Sequence, residues 1–558
     1  MKAAKLMVKC LENEGVEFIF GIPGEENIGV MDALLDSPIQ FVTTRHEQAA
    51  AFMADVHGRL TGRAGVCMST LGPGATNLVT GVADGNMDRA PMVAIAGQGA
   101  TTRMHKESHQ VLDLVNLFDP ISKYSVQIRE PEIVPEIVRK AFKFAEAEKP
   151  GAAFIDFPEN IAETEVTGCV PLRRQAPIEP VAPEGKCQQV SALIDGAENP
   201  IIIAGNGVIR DGASDALVAF AEQLNIPVAT TFMAKGVMPS SHRLSMGTVG
   251  LKAHDLIAFA LEEADLVLCV GYDMVEYDPG HWNPDSALRI IHIDGSPAEV
   301  DSHYIVEAGV IGNLNNSLQR IAAQCQPRPT PPMAELTHSI HTMLNEYAED
   351  TGYPVKPQRI ISDLRKVMEP DDIVISDVGA HKMWMARMFQ AERPNTCIIS
   401  NGFASMGIAL PGAIAAKMIY PERNVLAVCG DSGFMMNNQE IETALRLKLN
   451  ITVIIFNDNK YGLIEWHQLR EYGRTSNIDV TNPDFVKFAE SFGAKGYKVE
   501  RTEDLAATLR TAMADGTVSI IDCPVDYREN MKLTAQLKGA GSPDAIIAKA
   551  SPSKMKPR

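Results

Sequence analysis

Val425-Leu-Ala-Val-Cys-Gly-Asp-Ser-Gly-Phe434 and, further along, Ile451-Thr-Val-Ile-Ile-Phe-Asn-Asp-Asn-Lys-Tyr-Gly462 decide the fold. Each begins as a continuous apolar run, the pattern of a strand buried on both faces. Each then stops at a short polar turn, Gly430-Asp431-Ser432-Gly433 in one and Asn457-Asp458-Asn459-Lys460-Tyr461-Gly462 in the other. A helical stretch with Glu440 and Glu442 lies between them. One strand–helix–strand crossover therefore brings Asp431 and Asp458 side by side at the carboxyl ends of parallel strands, where open α/β sheets bind ligands. Two carboxylates meeting there repel unless a cation separates them, and magnesium takes oxygen ligands and bridges carboxylates to phosphate oxygens. Gly430, Gly433 and Gly462 allow close backbone approach, and a helix starting near Phe434 offers N–H groups to a diphosphate.

Outward from this pair the same alternation fills the chain. Apolar runs at 16–20, 41–44, 66–70 and 92–96 read as buried strands, as do those at 200–204, 228–231 and 266–271, and at 373–376 and 518–522. Helical patterns separate them, the signature of α/β domains with parallel sheets. Prolines 171, 177, 180 and 183 mark one linker, and prolines 327, 329, 331 and 332 a second; proline at that density disfavours helix and interior strand. The expectation is three doubly wound parallel-sheet domains, at 1–168, 186–326 and 350–530. A tail at 531–558 is expected to end as a mobile segment or a ligand-dependent lid.

The chain has 558 residues, too many for one core. Its formal charge of −19 argues against nucleic acid or an anionic membrane as the main partner. Nine cysteines are scattered without a CxxC pair, which argues against a disulfide framework or a zinc site and fits reduced, mostly buried thiols in a cytoplasmic protein. The first residues form an amphipathic pattern without the apolar stretch of a signal peptide, and no run of about 18 apolar residues is present.

The two turns resemble the thiamine-diphosphate motif, a Gly-Asp-Gly followed by an asparagine-rich turn. Ser432 stands for the usual second glycine, and Asp458 stands where many relatives have asparagine. The resemblance implies thiamine diphosphate and Mg2+ as cofactors, with Asp431, Asp458 and the Lys460 carbonyl as metal ligands. It also implies cofactor contacts from Gly430, Ser432, Gly433, Tyr461, Gly462 and Leu463. Thr44-Arg45-His46-Glu47 resembles the activator segment of the acetolactate synthase family. Thiamine chemistry needs a carboxylic acid against the aminopyrimidine ring, and Glu47 is that acid in the resemblance; Arg45 and His46 orient the turn. In relatives this glutamate faces a cofactor held by another subunit, which implies a homodimer or homotetramer.

The resemblance extends over nearly the whole chain. Phe20-Gly-Ile-Pro-Gly24 adds Pro23 and Gly24 to the cofactor site. Ser400-Asn-Gly-Phe-Ala-Ser-Met-Gly407 adds Gly402, Ser405 and Met406, the last matching the bulky residue that holds the cofactor bent. Val378-Gly379-Ala380-His381 resembles a diphosphate-contacting turn, and in His109-Gln110 the glutamine is the active-site member. The implied activity joins two pyruvates to 2-acetolactate with loss of CO2. A 2-oxo acid decarboxylase or another carboligase on the same fold is the alternative, although His105 and His109 are not the adjacent pair that decarboxylases often carry.

Two branches of the family differ in the middle domain. FAD-binding enzymes show Arg-Phe-Asp-Asp-Arg after a strand-end glycine, whereas this chain reads Gly271-Tyr-Asp-Met-Val-Glu-Tyr-Asp-Pro279. Both arginines are missing, and Asp273, Glu276 and Asp278 would repel a diphosphate facing them. The chain therefore resembles the FAD-independent, catabolic branch. Glu465-Trp466 resembles the Gln-Trp of the biosynthetic branch, and Trp466 reads either as a substrate wall or as an ordinary helix aromatic.

Overall fold

In the computed structural model of the chain, residues 1–175, 180–251 and 256–533 are described. The first unit contains β1 (Phe18–Gly21), β2 (Gln40–Thr43), β3 (Gly65–Ser69), β4 (Met92–Gln98), β5 (Tyr124–Gln127) and β6 (Ala152–Pro158). The second contains β7 (Pro200–Ala204), β8 (Val228–Thr230), β9 (Ser245–Thr248), β10 (Leu266–Val270), β11 (Ile290–Asp294) and β12 (Val306–Ile311). The third contains β13 (Ile373–Ser376), β14 (Cys397–Ile399), β15 (Val425–Gly430), β16 (Thr452–Asn457), β17 (Lys495–Lys498) and β18 (Ser519–Pro524). Each set forms one six-stranded sheet, and the strands of each sheet pair in parallel.

The strand orders are β2-β1-β3-β4-β6-β5, β12-β11-β10-β7-β8-β9 and β14-β13-β15-β16-β18-β17. The first and third sheets thus share one topology, which the strand-then-glycine layout of the sequence only hinted at. Each order reverses near its middle, between β1 and β3, between β7 and β10, and between β13 and β15, and the first and third orders reverse again at their β6-β5 and β18-β17 edges. The carboxyl ends of strands beside such a reversal splay their connections to opposite faces and leave a crevice.

The apolar runs form central strands because helices cover both faces. β4, β6, β7, β10 and β11 are buried at every position. Strand starts differ from the sequence expectation by up to two residues. At β1 the cause is Gly15, whose left-handed backbone (φ 78°) closes the preceding helix and draws the Val16 N–H back onto the Leu11 carbonyl.

The first and third units share a core. The helix Glu47–Thr61 packs against the helix Ala409–Ile419, and Phe52, Val56, Ala413 and Ile414 belong to one buried cluster. The helix Ala334–Met343 falls between the domain limits expected from the prolines; it buries Leu336 and Ile340 against Ile257 and Leu261 of the second unit. The expected tail lies, beyond Leu533, outside the described residues. All nine cysteines are unpaired, eight of them buried. Among the described residues no helix is long and apolar enough to cross a membrane.

Candidate active site

β15 and β16 lie side by side in register, Gly430 opposite Phe456. Their ends open into a cavity of about 170 Å3. Asp431 and Asp458 both line it, with Gly430, Ser432, Gly433, Lys460, Tyr461, Gly462 and Leu463. Val378, Gly379, Ala380 and His381 from the end of β13, together with Met406, complete the wall. The helix after β15 begins at Asp431, earlier than Phe434, so the motif itself forms its first turn.

Asp431 is buried, and its carboxylate accepts from the Ser432 N–H (2.7 Å) and from Asn482 Nδ2 (2.7 Å). The same Asn482 amide donates to Asn457 Oδ1 (3.2 Å) and Asn459 Oδ1 (3.1 Å), tying the two turns together. Burial, with the Asp431 and Glu465 carboxylates nearby, pushes Asp458 up to about 7. A side chain at position 462 is impossible without movement, because its Cβ would stand 2.6 Å from Asp458 Oδ2.

These residues fit the implied cofactor. Two repelling carboxylates at one cavity wall are relieved by a divalent cation. Among the described residues no group of three or more His, Cys, Asp or Glu side chains could hold a metal alone, so the cation would draw further ligands from backbone, phosphate and water. Ser432 Oγ and His381 Nε2, both in the cavity wall, are buried without a hydrogen-bond partner. Burial pulls the His381 imidazole down to about 3, so it stays neutral and presents one donor.

Glu47, Gln110, Pro23 and Gly24 do not line this cavity. They gather instead at the carboxyl ends of the first sheet. Glu47 is the first residue of its helix and is buried; Asn77 Nδ2 donates to its Oε2 at 2.9 Å. A Cβ on Gly74 would lie 3.3 Å from Glu47 Oε1, and one on Gly72 would lie 2.8 Å from the Gln110 carbonyl oxygen. Gly24 abuts Thr70 in the same cluster. Gln110 is exposed with left-handed backbone (φ 58°), and the neighbouring His109 carbonyl accepts from Arg103.

The Arg45–His46 turn is held through its backbone. Both N–H groups donate to Glu440 Oε1 of the third unit, at 3.0 and 3.1 Å, and His46 Nδ1 accepts from the Gln48 N–H. Burial pushes Glu440 up to about 7. In the sequence Glu440 stands out only as part of a helical pattern.

The loop 400–407 behind Met406 is held from three sides. Asp84 Oδ1 accepts from Ser400 Oγ (2.7 Å) and the Ser405 N–H (3.3 Å). Asp88 accepts from the N–H groups of Asn401 (2.9 Å) and Gly402 (2.5 Å). Arg59, buried between Asp55, Asp84 and Asp88, also donates to the Ile399 carbonyl. From the second unit the Glu276 carbonyl accepts from Asn401 Nδ2, and within the third unit Asp377 Oδ1 accepts from the Gly407 N–H. Gly402 and Ser405 thus support the loop rather than line the cavity. Asp84, Asp88, Asp377, Asn482 and the cavity-lining Tyr527 were not singled out from the sequence; only Asp377, at a strand end before Val378-Gly379, carried a readable signal.

In the second unit the acids after Gly271 divide. Glu276 reaches the ends of β7 and β8, where it accepts from the Asn206 N–H (3.0 Å) and Thr231 Oγ1. Asp273 pairs with Arg89 and Lys149, and Asp278 caps the turn Pro279–Trp282. Trp466 is buried in the wall of a second cavity of about 220 Å3, which shares Leu463 with the first.

Comparison with known proteins agrees with this geometry. Residues 1–117, 187–321 and 377–523 match the family models described as the N-terminal TPP binding domain, the central domain and the C-terminal TPP binding domain of thiamine pyrophosphate enzymes. The fold and the motif thus define a thiamine-pyrophosphate enzyme. The chain is 38% identical over 545 residues to an acetolactate synthase of Bacillus subtilis, covering 96% of this chain and 95% of that one. It is 35% identical over 541 residues to a catabolic acetolactate synthase of Raoultella terrigena (96% and 97% covered). It is also 35% identical over 555 residues to a probable acetolactate synthase large subunit of Methanocaldococcus jannaschii (96% and 93% covered). The chain belongs to the thiamine-diphosphate-dependent acetolactate synthase family.

Proposed function

We propose that the protein is an acetolactate synthase, converting two pyruvate ions and one proton into 2-acetolactate and CO2 with thiamine diphosphate and Mg2+. The observation that carries this reading is the cavity between Asp431 and Asp458 in a chain whose full-length relatives are named acetolactate synthases. When bound, thiamine diphosphate supplies the electron sink for the pair left behind as CO2 departs. Asp431, Asp458 and the Lys460 carbonyl would hold the metal, while the Ser432 hydroxyl would donate to the diphosphate beside His381. Met406 supports the cofactor from the clamped loop. Glu47 keeps Oε1 for the aminopyrimidine ring, since Oε2 accepts from the Asn77 amide.

The separation of the Glu47 cluster from the Asp431 cavity supports a homodimer, or a homotetramer built from it, in which one subunit's cluster meets another's cavity. Gln110, exposed beside Glu47, is then available to substrate. The Glu276 carboxylate at the strand ends of the second unit supports operation without FAD, because a dinucleotide phosphate would need the Asn206 N–H that Glu276 occupies. Reduced cysteines and the acidic surface support a cytoplasmic enzyme acting on a small oxo acid. The test is direct: purified protein with thiamine diphosphate, Mg2+ and pyruvate is assayed for products. Acetolactate formation that requires both cofactors is expected, and CO2 release without acetolactate would replace this reading by a decarboxylase.

A further inference from the structure

The second cavity, beside the cofactor cavity, contains a cation that the reading above does not use. Its wall is formed by Phe232, Leu251, Lys382, Asn401, Leu463 and Trp466, among others. Lys382 lies on the helix Ala380–Met388, one residue after His381 of the cofactor cavity. It is 6% exposed. Among the described residues its ammonium makes no hydrogen bond, and its nearest aromatic is Phe232, 5.9 Å from Nζ to the ring centroid. The acids that face it, Asp84 and Asp88, have their carboxylates engaged by Arg59 and the 400–407 loop. A buried ammonium with three donors and no acceptor is costly unless an anion completes it.

We infer that Lys382 binds the carboxylate of the acceptor oxo acid, in the cavity walled by Trp466, which shares Leu463 with the cofactor cavity. This rests on the acetolactate synthase reading and deepens it. The two pyruvates make opposite demands on a cation. The donor's carboxylate must leave as neutral CO2, so an ammonium beside it would stabilise the reactant and slow the loss. The acceptor's carboxylate persists unchanged into 2-acetolactate; the new C–C bond forms at its carbonyl carbon, and a proton ends on the carbonyl oxygen. A fixed cation can hold that carboxylate throughout. Burial draws the Lys382 ammonium down only to about 8, so it is charged at neutral pH. Trp466 and Phe232 supply the apolar wall against which an oxo acid's alkyl end packs.

The test uses the full chain loaded with thiamine diphosphate and Mg2+, with CO2 and acetolactate measured together from pyruvate. In Lys382→Met, acetolactate per CO2 should fall by about tenfold or more, the loss of one charge-assisted contact. Lys382→Arg should keep the ratio within about threefold of wild type. Acetaldehyde added as a neutral acceptor should give acetoin per CO2 equally well in Lys382→Met and wild type. Thiamine diphosphate affinity, followed by tryptophan fluorescence, should stay within about threefold in each variant, since no cofactor contact is removed; Lys382→Gln replaces Lys382→Met if the latter fails to fold. A wild-type ratio in Lys382→Met, or a parallel fall of CO2 and acetolactate, overturns the assignment while the acetolactate synthase reading stands. Absence of acetolactate from the wild type overturns both.

Discussion

The strand ends of the second and third sheets face the same structural problem and resolve it differently. Both sheets are doubly wound and reverse their order near the middle, so both splay their connections into a crevice. In the third sheet the crevice stays open, with two unreconciled carboxylates and the unpartnered polar atoms Ser432 Oγ and His381 Nε2 around it. In the second, one side chain closes it: Glu276 accepts the Asn206 and Asp273 N–H groups and the Thr231 hydroxyl, satisfying donors that a phosphate would otherwise meet. A shared topology supplies the place for a ligand, but the pairing of polar atoms at that place decides whether one is needed.

The largest effect that would sharpen this contrast is at the open site. Glu47→Gln should lower turnover by roughly 10²–10⁴-fold while cofactor binding is retained, because an amide cannot exchange a proton with the aminopyrimidine ring; steady-state rates and a cofactor titration on the same preparation check it. Next, Asp458→Ala should weaken Mg2+-dependent thiamine diphosphate binding by about 10–100-fold, the scale on which metal sites respond to lost support, measured by titration at several Mg2+ concentrations. An unchanged affinity at limiting Mg2+ would mean that the open site is not a metal site.

At the closed site the effects are on stability. Glu276→Ala strands three donors and should cost about 1–3 kcal/mol in denaturant unfolding. Burial pushes Glu276 up to about 7 from an ordinary 4.5. Since the folded state holds this proton more tightly, its contribution is complete below pH 4.5 and is lost as pH rises through 7. Relative to Glu276→Gln, the wild type should therefore lose at most about 3 kcal/mol over that window. The smallest expected signal is none at all: protein purified without added flavin should show no flavin absorption, and a stoichiometric band lost together with activity would reopen the second sheet as a ligand site.

The division into three α/β units and the pairing of Asp431 with Asp458 were legible because strands and strand-end turns are local in sequence: apolar runs and Gly-Asp punctuation report themselves. The sharing of one core by the first and third units was not legible, since the Val56 face of one helix and the Ala413 face of another read alike as small-residue helices. Nor were Glu440 and Asn482, whose partners lie hundreds of residues away or on a neighbouring turn. By spacing alone Glu276 groups with Asp273 and Asp278; only three-dimensional placement separates the plug from an ion-pair partner and a cap.

The triply held loop at 400–407 also sets a timetable. Asp84 and Asp88 leave the ribosome more than 300 residues before the groups they receive, the Ser405 N–H at Asp84 and the Asn401 and Gly402 N–H groups at Asp88. Until then the buried Arg59 cluster has three aspartates and no backbone to bind. Domains emerging from synthesis fold in order, but here the first unit cannot finish its charge network before the third arrives. Excising the first unit would leave that cluster without the amides it binds, and excising the third would leave its cofactor loop without two of its anchors. The three sheets look separable on paper, yet the first and third complete each other.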